Sequence, residues 1–99
     1  MIEPERKTMT QQEMQIKASD EDLKGRYTNA MQVLHTKEEF IMDFLSLNAP
    51  VGILVNRIIT SPGHMKRIVL ALQDNLKRYE DKYGKVEEAE EPKSIGFRA

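Results

Sequence analysis

The chain has no cysteine and no tryptophan among its 99 residues. Without cysteine there is no disulfide, and thiolate-ligated zinc or iron–sulfur sites are excluded. The two histidines, His35 and His64, lie far apart in sequence and make a poor start on any other metal site. No metal and no cofactor are expected. Long apolar runs are also missing, and nothing approaches the roughly 20 consecutive apolar residues needed to span a bilayer. The opening residues, MIEPERKTMT, lack the apolar stretch of a signal peptide. The expectation is a soluble, cytoplasmic protein with no membrane partner. One-signed charge is lacking as well, because 15 basic side chains face 16 acidic ones.

The near-neutral total hides a pattern. Residues 1–24 carry four basic and six acidic side chains, and residues 25–60 carry three of each. Residues 61–85 carry six basic and three acidic, and residues 86–99 carry two basic and four acidic. Residues 61–85 are therefore mildly basic, and the two tails of the chain are acidic. A solvated helix face with solubilising tails accounts for it, and an anion-binding surface is the sharper alternative.

Ninety-nine residues suffice for one domain and not for two. Residues 1–11 are polar, contain Pro4 and show no apolar period, so they read as a disordered lead-in. Residues 86–99, with the acidic run EEAEEPKS, read as a flexible tail that carries Ile95 and Phe97. A single domain over 12–85 remains.

Within it the early period is two. Met14 and Ile16 suggest a short first strand near 12–17, and Gly25 a turn. Alternation resumes from Arg26, with Tyr27, Asn29, Met31 and Val33 on one face and Thr28, Ala30, Gln32 and Leu34 on the other. Thr36 to Glu39 interrupt it, and Phe40 to Leu47 form the next run. Asn48, Ala49, Pro50 and Gly52 are turn chemistry, and Ile53 to Thr60 is apolar and β-branched. Consecutive runs joined by short turns read as an antiparallel meander.

A turn centred on Pro50 pairs Leu47 with Ile53, Leu45 with Val55, Asp43 with Arg57, and Ile41 with Ile59. The acid of the third run then lies across from the base of the fourth, which makes Asp43 and Arg57 a structural polar pair that pins the register.

Ser61 and Pro62 announce a helix, the serine as cap and the proline at a position whose missing N–H costs nothing. Met65, Ile68, Val69, Leu72, Leu76, Tyr79 and Tyr83 follow as one stripe of period near 3.6, and Gly84 suits the C-terminal cap. The helix, about 33 Å long at 1.5 Å per residue, is expected to overhang the sheet it covers. The fold class expected is α+β, an antiparallel sheet of three to four strands followed by one long C-terminal amphipathic helix.

One helix covers one face of a sheet, yet these strands are apolar on both. Phe40, Met42, Phe44, Leu54 and Ile58 fall on one side, and Ile41, Leu45, Leu47, Ile53, Val55 and Ile59 on the other. A wet second face would show polar residues. A two-fold homodimer that buries the uncovered faces, or crosses the overhanging helices, is expected; a curled sheet or a different partner are the alternatives.

The stretch from Gly25 to Glu80 resembles the family of short proteins known as domain of unknown function 3467. The resemblance rests on Gly25, Tyr27, Thr28 and Asn29; on Glu39, Phe40, Asp43 and Phe44; and on Arg57, Ile58 and Ile59. In the helix it rests on Ser61, Pro62, His64, Lys66 and Arg67, then Ala71, Leu72, Asn75, Tyr79 and Glu80. Relatives carry a longer, proline- and lysine-bearing loop where this chain has the compact NAPVG. The resemblance implies a fold and a size, and no activity.

His64, Lys66 and Arg67, with Lys77 and Arg78 further along, are the candidates for an anion or nucleic-acid contact. Asn29 and Asn75 read as satisfied buried amides, and His35 as a hydrogen-bonding turn residue. Ser61, His64 and Asp43 are the residue types of a hydrolase, but Ser61 is engaged as a cap and no acid is spaced to orient a base. No catalytic residue is assigned, and the chain is not expected to be an enzyme. The functional expectation is a homodimeric adaptor that binds itself and a larger protein assembly. The alternative is a nucleic-acid-associated or transcription-linked protein using the basic helix.

Overall fold

The computed structural model describes residues 13–90. The lead-in expected over 1–11 and the tail residues Ile95 and Phe97 lie outside them. The elements run α1 (Asp20–Lys24), β1 (Ala30–His35), β2 (Phe40–Asn48), β3 (Val51–Thr60) and α2 (Pro62–Tyr83). The strands form one antiparallel sheet in the order β1-β2-β3, followed by the long helix, so the α+β expectation holds.

Among the described residues, the strand expected near 12–17 does not form. Residues 13–19 have no regular structure, and Met14 and Ile16 are exposed. Two alternating apolar side chains are too few to hold a strand without a neighbour to pair with. In its place the charged stretch after Ala18 forms α1. The Ser19 side-chain oxygen accepts from the Asp22 N–H at 3.1 Å, the first turn holds Asp20, Glu21 and Asp22, and Gly25 closes it at φ 77°. Acids at the N-terminal end and a glycine at positive φ are what a single helical turn needs.

β1 begins four residues later than the alternation suggested. The segment before it is tied to the sheet by Asn29 instead. Its amide donates to the Leu47 carbonyl at 2.9 Å, and its oxygen accepts from the Leu47 N–H at 2.8 Å. A side chain thus continues the ladder past the strand end. Asn29 fixes register as expected, but from the surface, not from a buried position. At the other end of β1 the turn belongs to Thr36, whose hydroxyl accepts from the N–H groups of Glu38 and Glu39, both at 3.1 Å. His35, expected to bond this turn, instead faces Phe40 across the strands with ring centroids 5.5 Å apart.

β2 and β3 pair Phe40 with Thr60, Ile41 with Ile59, Met42 with Ile58, Asp43 with Arg57 and Phe44 with Asn56. Between Phe44 and Leu45 the register shifts by one, so Leu45 faces Leu54, Ser46 faces Ile53 and Leu47 faces Gly52. The expected partners of Leu45 and Leu47, Val55 and Ile53, are therefore one residue off. A β-bulge at Val55 absorbs the extra residue and exchanges the faces of the residues that precede it in β3. Leu54 consequently sits with Leu45, not with Met42.

Among the described residues, the buried ones are Met42, Asp43 and Leu45, all in the central strand β2. The helix contributes none. The expectation that α2 lies on one face of its own sheet is overturned: β2 packs edge to edge with β1 and β3, and α2 makes no comparable contact with any strand. The cause is the junction. Thr60 ends β3, Ser61 caps α2 and Pro62 opens it, a link of one residue. Proline holds the preceding residue extended, as Ser61 is at φ −75° and ψ 157°. Strand-to-helix connections that reverse over a sheet use about 2–6 residues. With one, the helix leaves the sheet and does not return over it.

Candidate interaction surface

Cross-strand pairing sorts the sheet into two faces. Met31, Phe44 and Asn56 line up across the three strands, as do Val33, Met42 and Ile58, and His35, Phe40 and Thr60. The opposite face carries Ala30, Leu45 and Leu54, then Gln32, Asp43 and Arg57, then Leu34, Ile41 and Ile59. Neither is a polar face. Met31, Val33 and Ile58 on the first, and Leu34, Leu54 and Ile59 on the second, are all at least 40% exposed. This is the pattern that called for a partner, and the sheet leaves it open on both sides.

Asp43 and Arg57 meet as the register arithmetic required. The Arg57 Nε donates to Asp43 Oδ1 at 2.6 Å and its terminal nitrogen to Oδ2 at 2.8 Å, a bidentate fork. The Asp43 side chain is 1% exposed and that of Arg57 49%. The guanidinium's hydrogen bonds hold the Asp43 carboxyl below its ordinary value against the opposing effect of burial, and the same bonds raise Arg57. Both oxygens of the acid are occupied, which suits a pin between strands and leaves no free carboxylate for acid–base chemistry.

On α2 the Ser61 Oγ accepts from the His64 N–H at 3.2 Å, Pro62 stands in the first turn, and Gly84 ends the helix at φ 103° with its N–H donating to the Glu80 carbonyl. Past that cap, the Val86 N–H donates to Glu80 Oε2 at 3.0 Å. The apolar stripe runs the length of the helix with Leu72, Leu76, Tyr79 and Tyr83 more than half exposed. The rings of Tyr79 and Tyr83 are 4.9 Å apart, and the Lys82 ammonium lies 5.2 Å from the Tyr83 ring centre. Of the basic candidates, Lys66 and Lys77 flank the stripe and Arg67 and Arg78 lie on the opposite side of the helix, each pair three turns apart. They do not form a uniform patch. Lys77 bridges Asp81 at 3.2 Å and Arg78 bridges Asp74 at 3.1 Å. Among the described residues, Lys66 and Arg67 have no carboxylate within bridging distance, and Arg67 contacts the His64 ring at 3.0 Å. Asn75, expected buried, is exposed on α2.

Sheet, pinned pair and capped helix fall within one family pattern, which matches residues 1–88. The chain belongs to the DUF3467 family. That family is described as a protein of unknown function. Its pattern extends beyond the Gly25–Glu80 stretch to take in the exposed segment and α1, so those residues are part of the DUF3467 unit too. No curated protein and no solved structure gives a significant match.

The described residues hold no grouping of three or more side chains suited to a metal ion, and no helix long and apolar enough to cross a membrane. Two features of the DUF3467 chain had no signal in the sequence: the bulge at Val55 and the bond from Val86 to Glu80.

Proposed function

We propose that the chain is a small non-enzymatic interaction module that acts as a homodimeric adaptor, binding a second copy of itself and a further protein. One observation carries this reading: a 22-residue helix with a continuous apolar stripe has no buried residue. Most helical stability in proteins comes from tertiary packing of such an amphipathic stripe rather than from propensity. The sheet poses the same demand with two apolar faces.

The non-catalytic part of the reading is supported by how the hydrolase-type residues are employed. The Ser61 oxygen caps α2, both Asp43 oxygens are held by Arg57, and the His64 ring lies against Arg67. A second reading, contact with nucleic acid, draws on Lys66 and Arg67. The ion pairs of Lys77 and Arg78 weigh against it.

Sedimentation equilibrium from about 1 to 100 μM tests the first part, with two chains per particle expected and one chain refuting it. Fluorescence anisotropy with labelled single- and double-stranded nucleic acid at roughly 50 and 200 mM salt tests the second. No binding is expected. Micromolar binding that falls steeply with salt would replace the adaptor reading with the nucleic-acid one.

A further inference from the structure

The stripe on α2 has an order finer than amphipathicity. From Met65 the residues Met65, Val69, Leu72, Leu76, Tyr79 and Tyr83 are spaced four, three, four, three and four, which is a heptad seam. Such a seam fits another helix more closely than a pleated sheet. The one-residue link to β3 keeps it off the chain's own strands, and among the described residues α2 is the sole helix longer than five residues. Among the described residues, then, this chain offers α2 no partner helix.

Resting on the homodimer reading, we infer that α2 pairs with the partner's α2 in antiparallel register, its two-fold axis passing at the level of Asp74. Two independent features select this arrangement. The first is volume. In the antiparallel register Met65 meets the partner's Tyr83, Val69 meets the partner's Tyr79, and Leu72 meets the partner's Leu76, each layer repeated by symmetry. Large rings face smaller side chains, as an interdigitated core requires. A parallel pair stacks tyrosine on tyrosine at one end and leaves Met65 and Val69 facing their own kind at the other.

The second is charge. Lys66, Gln73 and Glu80 flank the seam on one side at seven-residue spacing. The antiparallel register brings Lys66 to the partner's Glu80 and Gln73 to the partner's Gln73, two ion pairs per dimer. The parallel register instead gathers Lys66, Arg67 and both positive helix ends at one end of the dimer. Glu80 is suited to the contact, because Oε2 holds the Val86 N–H and Oε1 is free of any hydrogen bond among the described residues. Six layers over about 33 Å bury on the order of 1,000 Å² in total, at the lower bound of a specific interface. Each sheet then projects from an opposite end of the helix pair with both faces uncovered, which gives the adaptor two outward surfaces for its further partner.

The charge prediction has opposite signs in the two registers, which makes it the test. Lys66→Glu in the full chain converts both ion pairs into like-charge contacts and is expected to weaken the dimer about tenfold in sedimentation equilibrium. Lys66→Glu combined with Glu80→Lys is expected to restore it. Lys66→Glu also places an acid near the helix N-terminus, which favours the helix itself, so circular dichroism is expected to show no loss of helix. A second measurement uses the absence of native cysteine: spin labels at Gln73→Cys and, separately, at Lys82→Cys. The Gln73 labels are expected to lie close together and the Lys82 labels farther apart by an axial offset of roughly 24 Å. A dimer unaffected or strengthened by Lys66→Glu, or label distances equal at the two positions, would overturn the antiparallel pair and leave the homodimer standing. A wild-type chain that sediments as one copy would overturn both.

Discussion

Leu72 lies near the middle of the α2 stripe and is 64% exposed in the single chain. Truncating it to alanine therefore removes little burial from a lone protomer, and alanine is at least as good a helix former. In the dimer the same side chain would be covered. Full burial of a leucine contributes about 1.5–3 kcal/mol, and roughly two-thirds of that remains to be gained here, so the loss is about 1.5 kcal/mol per chain. Two copies lose about 3 kcal/mol, a little over a hundredfold in dissociation constant. The assay is a dilution series by sedimentation equilibrium on wild type and Leu72→Ala, with circular dichroism on the same samples. A dissociation constant within threefold of wild type would refute the claim that the stripe is an interface. A variant that loses its helix at concentrations where the wild type is already monomeric would place the side chain in an intrachain core and refute it equally.

Four smaller perturbations check the fold that presents this stripe. Asn29→Ala removes both bonds to the Leu47 backbone and is expected to lower stability by about 1–2 kcal/mol in urea titration. Ser61→Ala deletes the cap that accepts from His64 N–H and is expected to cost about 1 kcal/mol, with fraying visible by hydrogen exchange in the first turn of α2. Gly52→Ala would bring its new methyl group 2.5 Å from Leu47 Cδ2, so Leu47 must change rotamer at a cost of about 0.5–1.5 kcal/mol. Asp43 has its carboxyl held below the ordinary value of 3.8 in the folded state. Its contribution is thus present above that value and is lost as pH falls from there through the lower folded one. Asp43→Asn is expected to flatten this acid limb of the stability curve, and a variant retaining the wild-type limb would show that the pair does not create it.

Which parts of this architecture could be read in advance follows from what each pattern encodes. The helix was legible because a cap, a stripe and a terminal glycine each point to the same boundaries. The Asp43–Arg57 pairing was legible because a charge opposite a charge is a unique solution within two otherwise uncharged strands. The bulge at Val55 was not, because Ile53, Leu54 and Val55 are all apolar, and a one-residue slip among them exchanges faces without placing any polar group wrongly. α1 carried readable marks in Ser19, three acids and Gly25, but with no apolar face its charges suggested a turn. The ion pairs around two of the candidate basic residues went unread for a similar reason. Position along the helix located Lys77 and Arg78 correctly, yet the acids one turn away, Asp74 and Asp81, already bridge them.

The placement of α2 is a different kind of miss, and it bears on function. An amphipathic stripe states that a helix has a partner and is silent about which chain supplies it. The sequence around residues 60–62 did contain the answer, because Thr-Ser-Pro between a strand and a helix leaves one residue to turn with. The proline that starts the helix also holds Ser61 extended, so the features that make the helix begin cleanly are the ones that aim it away from its own sheet. Lengthening this link is then the most direct intervention on the assembly. Two or three glycines inserted after Thr60 give α2 the slack to fold back, and its stripe would compete for the apolar sheet faces of the same chain. The expected result is a shift from two chains per particle toward one, with helix content unchanged. A dimer as tight as wild type after the insertion would mean that the short link does not direct the stripe to a second chain.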